Sequence, residues 1–308
     1  MNIVAIAAGL ASAFFWGAGD FAGGLAGRRA SAVRVVLASQ LLGMLPLIGL
    51  GLGLGQPWPP SSALWIGVVA GLAGSVGLLL LYLSLARGVM GVAAPLTAVA
   101  AGGIPLLVGL FTEGLPGGPQ LAGFALALAA IWIIAQPGGA GRLRPGDVWL
   151  PLLAGVGFGI FLAMMGRLPD DVGFAWPLVV GRVASVALMT VVLLASLRTV
   201  AERPIEGGQP TTDDRRPRSV VGGRWSVVER WRAFPWGLAA VAGVGDTAGN
   251  AFFILSSQLG RLDVAAVLSA LYPAATVALA RVLLGERLTR RQNVGVGLAL
   301  LAVLLIAV

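Results

Sequence analysis

The 308-residue chain is 57% apolar and only 11% charged, with a mean hydropathy of +0.91. A soluble domain carries about 25% charged residues, and this chain has too few polar groups to cover a surface that faces water. The composition therefore excludes a soluble globular protein and predicts a membrane protein.

The chain has no Cys, no His and no Lys, so all 21 basic residues are Arg. Thiolate, disulfide and imidazole chemistry are thereby excluded, no metal or cofactor is expected, and proton chemistry must use carboxylates or Tyr. The net charge of +8 does not indicate nucleic-acid binding, because the Arg residues lie between apolar runs rather than along one face.

Ten apolar runs are each close to the roughly 20 residues that a helix needs to cross the hydrocarbon. The predicted spans are 3–22, 33–54, 63–86, 89–112, 120–136, 148–166, 174–197, 236–257, 264–285 and 292–308. The first run lacks a basic leader and is interpreted as a span rather than a cleavable signal peptide. We therefore expect an all-α integral membrane protein with ten transmembrane helices, in which the division between spans three and four is tight.

The Arg residues are concentrated in alternate loops. The loops that follow spans one, three, five, seven and nine hold 18 of the 21, with Arg34 and Arg281 counted at the loop edges. The positive-inside rule then places the odd-numbered loops in the cytoplasm and both termini outside. The long polar loop at about 198–235 is interpreted as a linker whose Trp and Arg residues rest at the headgroups, or alternatively as a regulatory or partner-binding segment.

The sequence also repeats itself at two offsets. The matching pairs include Gly17 with Gly159 and Gln40 with Arg182 at an offset of 142, and Gln120 with Gln292 at an offset of 172. The loop at 198–235 is longer than its counterpart at 55–62 by the same 30 residues that separate the two offsets. Residues 1–140 and 141–308 are therefore predicted to be two repeats of five spans each, although similar composition alone is an alternative explanation. Because five is odd, the second copy must run inverted, an arrangement typical of secondary transporters with a midplane site.

Several short runs carry a resemblance to a known family. They are Phe15-Trp16-Gly17, Leu83-Ser84-Leu85-Ala86-Arg87-Gly88, Leu271-Tyr272-Pro273-Ala274-Ala275-Thr276 and Leu284-Gly285-Glu286-Arg287-Leu288-Thr289, followed by Gln292 to Gly295. With the paired five-helix repeats, these runs resemble the drug/metabolite transporter superfamily in its EamA-type branch. The resemblance implies a ten-helix carrier of small metabolites, often amino acids or drug-like compounds, that usually moves them outward.

Asp246 is the sharpest candidate for a functional side chain inside a span. A charge at the bilayer centre costs about 2.5–3.5 kcal/mol on insertion scales, so it needs a partner, water or neutralisation. Asp246 lies near the predicted mid-depth of span eight, and Asn250 follows one helical turn later. We expect these residues either to line a cavity that binds a cation or a proton, or to form a structural salt bridge or helix–helix hydrogen bond.

Arg182 lies inside span seven, and its repeat mate Gln40 is polar and intramembrane as well. The guanidinium fork suits carboxylates. Arg182 is therefore expected either to bind a carboxylate of the substrate or to neutralise Asp246, and the sequence does not decide between the two.

Four further residues are candidates for the same cavity. Asp20 is either an interfacial acid paired with nearby Arg residues or a cytoplasmic-side gate or proton site. Tyr272 precedes a proline that can kink span nine, and it offers a ring and a hydroxyl. Trp16 could stack on an apolar solute, and Tyr82 is a weaker candidate. Packing explains each of these three aromatic residues equally well.

Together these features predict a secondary active transporter, not an enzyme, that moves a small-molecule solute by alternating access. A proton or counter-substrate gradient would supply the energy, because a Walker-type phosphate loop requires a Lys. A membrane scaffold or channel subunit and an intramembrane enzyme are the rival hypotheses. We expect a multi-pass protein of the bacterial inner (plasma) membrane, surrounded by lipid. Small residues could bring spans five and ten together within the monomer or across a homodimer, at Gly123, Ala127, Gly295 and Ala299.

Overall fold

The computed structural model describes residues 2–86, 90–112, 114–134, 145–169, 171–201, 233–284 and 290–307. Through these residues the chain forms eleven α-helices joined by short connections. They are α1 Ile3–Gly27, α2 Ala32–Gly53, α3 Ser61–Ala86, α4 Met90–Thr112, α5 Gly118–Ile134, α6 Pro145–Met165, α7 Ala175–Ala201, α8 Trp236–Leu259, α9 Leu262–Ser269, α10 Tyr272–Leu284 and α11 Arg290–Ala307.

Five helices in the described part of the chain are long and apolar enough to cross a membrane. They are α1, α2, α3 over Ser61–Ser84, α7 over Ala175–Ser196, and α8. Large apolar side chains point away from the bundle, among them Leu45, Trp65 and Leu194, which are 62%, 68% and 54% exposed. A helix that is apolar on every side belongs in a core or in lipid. The prediction of an all-helical membrane protein is therefore confirmed, and these apolar side chains form part of its outer surface.

Span nine, predicted over 264–285 with a proline that can kink it, consists of two helices in the described residues, α9 and α10. The Ala270 amide donates to the Ala266 carbonyl at 2.9 Å, where α9 ends, and α10 begins two residues later at Tyr272. Pro273 has no N–H to donate to the Ser269 carbonyl, as an unbroken helix would require, but a proline is tolerated in a first helical turn. The chain therefore breaks at residues 270–271. The predicted division between spans three and four, at 87–89, lies outside the described residues.

Contacts between backbones hold the centre of the bundle together. α1 packs against α8, α3 against α6 and α7, α2 against α7 and α8, and α4 against α6. Between α3 and α7 a Cβ at Gly71 would overlap the Gly181 backbone, and between α8 and α2 a Cβ at Gly243 would overlap the Ser39 carbonyl. Such close approach of two helices requires small residues.

The small residues of α5 and α11 are used inside the monomer. α5 packs against α11, and Gly123, Ala127 and Gly295 are all buried. The side chain of Ala299 lies outside the described part of the structure. The contact expected between these two helices is therefore present within the chain, and a homodimer through them stays a prediction.

A buried ion pair fixes the start of α9. Arg261 Nε and Nη2 donate to the two carboxylate oxygens of Asp263 at 3.1 and 2.8 Å, and the Val264 amide donates to Asp263 Oδ1 at 2.8 Å. The Asp263 side chain is fully buried. Arg261 Nη2 also donates to the Gly114 carbonyl at 2.8 Å, which ties this end of α9 to the connection before α5.

Asp263→Asn is therefore expected to destabilise the protein strongly. Hydrogen bonds to a charged group contribute about 1.5–3 kcal/mol, and the variant weakens those that the fully buried carboxylate accepts from Arg261 and the Val264 amide. The thermal unfolding midpoint of the purified protein in detergent measures the effect. Asp171→Asn makes the same change at an exposed position and should leave the midpoint unchanged. Equal midpoints for the two variants would show that the pair does not stabilise the fold.

Candidate functional site

A cavity lies at the centre of the bundle, where α1, α2, α3, α6, α7 and α8 meet the break before α10. Its empty volume is about 820 Å³, which includes the part that is open to solvent. Seven of the eight predicted site residues line it, namely Trp16, Asp20, Gln40, Arg182, Asp246, Asn250 and Tyr272. The few ionisable and polar side chains of the predicted spans are therefore brought together in one place.

Arg182 is the centre of the polar network in this cavity. Its guanidinium forms an ion pair with Asp246 of α8 and donates to the side-chain oxygen of Gln40 in α2. It also donates to Thr247 Oγ1 at 3.1 Å, and that hydroxyl donates to the Gly43 carbonyl at 2.8 Å. The Arg182 side chain is 5% exposed and that of Asp246 is 31% exposed. The sequence left open whether Arg182 binds a carboxylate of the substrate or neutralises Asp246, and in the structure it pairs with Asp246.

Asn250 extends the network to α1. Its amide nitrogen donates to Asp246 Oδ2 at 3.3 Å, and its amide oxygen accepts a hydrogen bond from Trp16 Nε1 at 2.9 Å. The Trp16 ring lies directly against Gly249, where a Cβ would overlap it. A continuous chain of contacts thus joins α1, α8, α7 and α2 through the cavity.

Asp20 lies apart from this network although it lines the same cavity. Arg28, Arg29 and every other basic residue that the structure describes are outside ion-pair distance of its carboxylate. The interfacial pairing considered from the sequence is therefore absent among these residues. The carboxylate faces a space that it shares with Asp246 and Arg182.

The two tyrosines occupy different environments. Tyr272 lines the cavity at the first residue of α10, and its carbonyl accepts a hydrogen bond from Thr276 Oγ1 at 3.1 Å. Tyr82 is 4% exposed and packs against Gly23 in an apolar cluster with α1 and α2 residues. The structure does not place Tyr82 in the lining of the cavity, whereas it places Tyr272 there.

The structure also brings to this site residues that were not among the predicted ones. Thr247 bonds Arg182, whereas Ser185, Phe158 and Phe161 line the cavity. Ser185 is one helical turn from Arg182 and therefore on the same helix face. Phe158 is the repeat mate of Trp16 at the offset of 142. The helical spacing of Ser185 from Arg182 and the repeat offset between Trp16 and Phe158 could both have been recognised in the sequence.

Comparisons with known proteins bear on the C-terminal part of the chain and on the fold. Residues 219–308 match the sequence profile of the EamA-like transporter family, which confirms the resemblance over those residues. No curated protein sequence matches the chain. A solved structure titled "Crystal structure of protein" is similar with a TM-score of 0.69 over 99% of this chain and 98% of its own, at 16% sequence identity. At that identity the likeness establishes the fold alone.

Proposed function

We propose that this multi-pass membrane protein is a secondary active transporter of a small solute, because residues 219–308 match the EamA-like transporter family. The observation that carries the proposal is the central cavity, in which an ion pair between two helices of the second half is hydrogen-bonded to Gln40 and, through Asn250, to Trp16 of the first half. A charged network at the centre of an apolar bundle is costly and typical of a transport pathway.

We further propose that the ten spans form two inverted five-helix repeats, at 1–140 and 141–308, with α9 and α10 together as the ninth span. The main support is that Arg182 bonds Gln40, its own repeat mate. If a twofold axis relates the two repeats, only residues close to that axis can contact their own repeat mates. The bond between Arg182 and Gln40 is what a twofold axis near this pair predicts. The helix packing follows the same relation, in which α1, α2 and α3 correspond to α6, α7 and α8. α1 packs on α8 as α6 packs on α3, and α2 packs on α8 as α7 packs on α3.

Individual contacts support the same twofold relation. The contact between Gly71 and Gly181 becomes the contact between Gly243 and Ser39 when the offsets of 172 and 142 are applied. The contact of Trp16 with Gly249 corresponds in the same way to that of Phe158 with Gly77. Two offsets derived from the sequence thus account for close contacts that played no part in deriving them.

Alternating access follows from this symmetry. Two structurally similar halves can exchange conformations, so that a cavity open to one face becomes open to the other. The network from Trp16 to Gln40 crosses between the halves, so rocking would change its contacts. A proton or counter-substrate gradient would drive the cycle. We also propose that the protein lies in the bacterial inner membrane with the odd-numbered loops in the cytoplasm. Outward transport is proposed on the family resemblance alone.

A solute screen on the reconstituted full chain tests the transporter proposal. Candidate metabolites are first screened by thermal shift, and those that stabilise the protein are tested for counterflow in proteoliposomes with and without a pH gradient. We expect solute-dependent counterflow for at least one solute class. Ion conductance without counterflow would identify a channel, and the absence of both across the panel would favour a scaffold.

A further inference from the structure

Most polar groups that line the cavity already bond to one another. Trp16, Asn250, Asp246, Arg182 and Gln40 are connected as described, and each contact uses a group that a solute would otherwise meet. The Ser75 hydroxyl also lines the cavity, but it donates to the Leu72 carbonyl at 2.9 Å within its own helix.

Asp20 and Ser185 are the exceptions among the described lining residues. No hydrogen bond or ion pair joins the Asp20 carboxylate to another described residue. The Ser185 side chain is 1% exposed, and its buried hydroxyl has no partner in the described part of the chain. A buried hydroxyl without a partner costs free energy, and this one belongs to a residue of the cavity lining.

The charges of the cavity favour a cation. Its described charged lining residues are Asp20, Asp246 and Arg182, which leave one negative charge uncompensated when all three are ionised. An anion would have to displace Asp246 from Arg182, whose guanidinium is 5% exposed and already contacts three side chains. A cation needs only to approach the carboxylate of Asp20, which pairs with no basic side chain that the structure describes.

The walls of the cavity add a second requirement on the solute. Phe158 and Phe161 line it from α6, and the Trp16 ring lines it from α1. Aromatic faces attract cations and bury apolar bodies, and the attraction grows when the site is dry.

Resting on the proposed transport function, we infer that the cavity binds a small organic ammonium ion with an apolar or aromatic body, whose ammonium group is held by the Asp20 carboxylate and hydrogen-bonded by the Ser185 hydroxyl. This arrangement satisfies both unpartnered groups and neutralises the excess charge. Charge-assisted hydrogen bonds of this kind are about twice as strong as neutral ones.

Three probes that share one aromatic body test the charge preference. The probes are the cation 2-phenylethylammonium, the zwitterion phenylalanine and the anion 3-phenylpropanoate. Calorimetry with the purified full chain gives the dissociation constant of each. We expect the cation to bind at least about tenfold more tightly than the anion. Equal or tighter binding of the anion, or failure of the cation to bind, would overturn the inference.

Variants test the assigned groups. Asp20→Asn should weaken binding of the cation about tenfold or more, whereas Asp20→Glu should retain the preference for it. Asp171→Asn is the matched control at an exposed site. Ser185→Ala should weaken binding several-fold relative to Ser12→Ala, which removes an equally buried and unpartnered hydroxyl outside the cavity. Thermal midpoints verify that each variant is folded.

The two proposals fail in different ways. If Asp20→Asn is folded and binds the cation within about twofold of wild type, the Asp20 assignment is wrong. If counterflow is found only for anions or neutral solutes, the transporter stands and the cation assignment falls. If the cation binds through Asp20 but no member of the solute panel exchanges, the binding site stands and the transport function falls.

Discussion

Asp246→Asn is expected to lower solute counterflow by about a hundredfold or more while the protein is still produced and inserted. The carboxylate pairs with Arg182 and accepts a hydrogen bond from Asn250, so it connects α7 with α8 at the cavity. The variant leaves the buried Arg182 guanidinium without its ion-pair partner, and each 1.4 kcal/mol added to a transport step that depends on this pair lowers the rate about tenfold. Initial counterflow rates per amount of reconstituted protein measure the effect, with Asp171→Asn as the control for a lost carboxylate.

The double variant with Arg182→Asp and Asp246→Arg separates folding from transport. It keeps one charge of each sign, so it should recover much of the thermal midpoint lost in either single variant. Counterflow should remain absent, because Gln40 and Asn250 are placed for the original arrangement. Near-normal counterflow in Asp246→Asn would refute a role for this carboxylate in transport.

Gly243→Ala is expected to cause a large loss of folded protein for a change that adds a single methyl group. The added Cβ would overlap the Ser39 carbonyl of α2, and backbone atoms cannot move aside as a side-chain tip can. Overpacking typically costs about 1–3 kcal/mol and more where no rearrangement is available. Gly237→Ala is the matched control in the same helix, because no atom lies within 4 Å of its added Cβ. Ala is favoured over Gly in a helix by up to about 1 kcal/mol, so the control should be neutral or stabilising.

The same prediction can be tested at Gly71, the repeat mate of Gly243. Gly71 corresponds to Gly243, and its Cβ would overlap the Gly181 backbone in the same manner. Thermal midpoints and the monodisperse fraction on size exclusion should fall together for Gly71→Ala and Gly243→Ala. Midpoints equal to that of Gly237→Ala would mean that the close helix contacts are not required.

Much of this fold and site could be predicted because the background is so uniform. In a chain that is 57% apolar, runs of apolar residues locate helices, and isolated charges such as Asp246 and Arg182 stand out. A charge in a membrane needs a partner or water, so these residues were expected to converge. Asn250 was found because it follows Asp246 by one turn.

The uniform background also explains what was missed. Helices that are apolar on all sides carry no periodic signal for the face that points inward. Ser185 and Thr247 escaped notice because hydroxyls are common in apolar helices, where they bond to a carbonyl of the preceding turn, as Ser75 does. Tyr82 was a weaker candidate for the cavity because of its residue type alone, and in the structure its ring packs against Gly23. The break at 270–271 accompanies Pro273, for which the sequence predicted only a possible kink.

The absence of Cys from the chain makes one measurement of alternating access direct. Ser185→Cys places a near-isosteric thiol in the cavity, and Ser12→Cys places one at a buried site outside it. Both variants are treated with a membrane-impermeant maleimide, in intact cells and in inverted membrane vesicles. We predict that the thiol at position 185 reacts from both faces and that a transported solute changes the two rates in opposite directions, while the thiol at position 12 reacts from neither. Reaction at position 185 from one face only, whatever solute is present, would contradict alternating access.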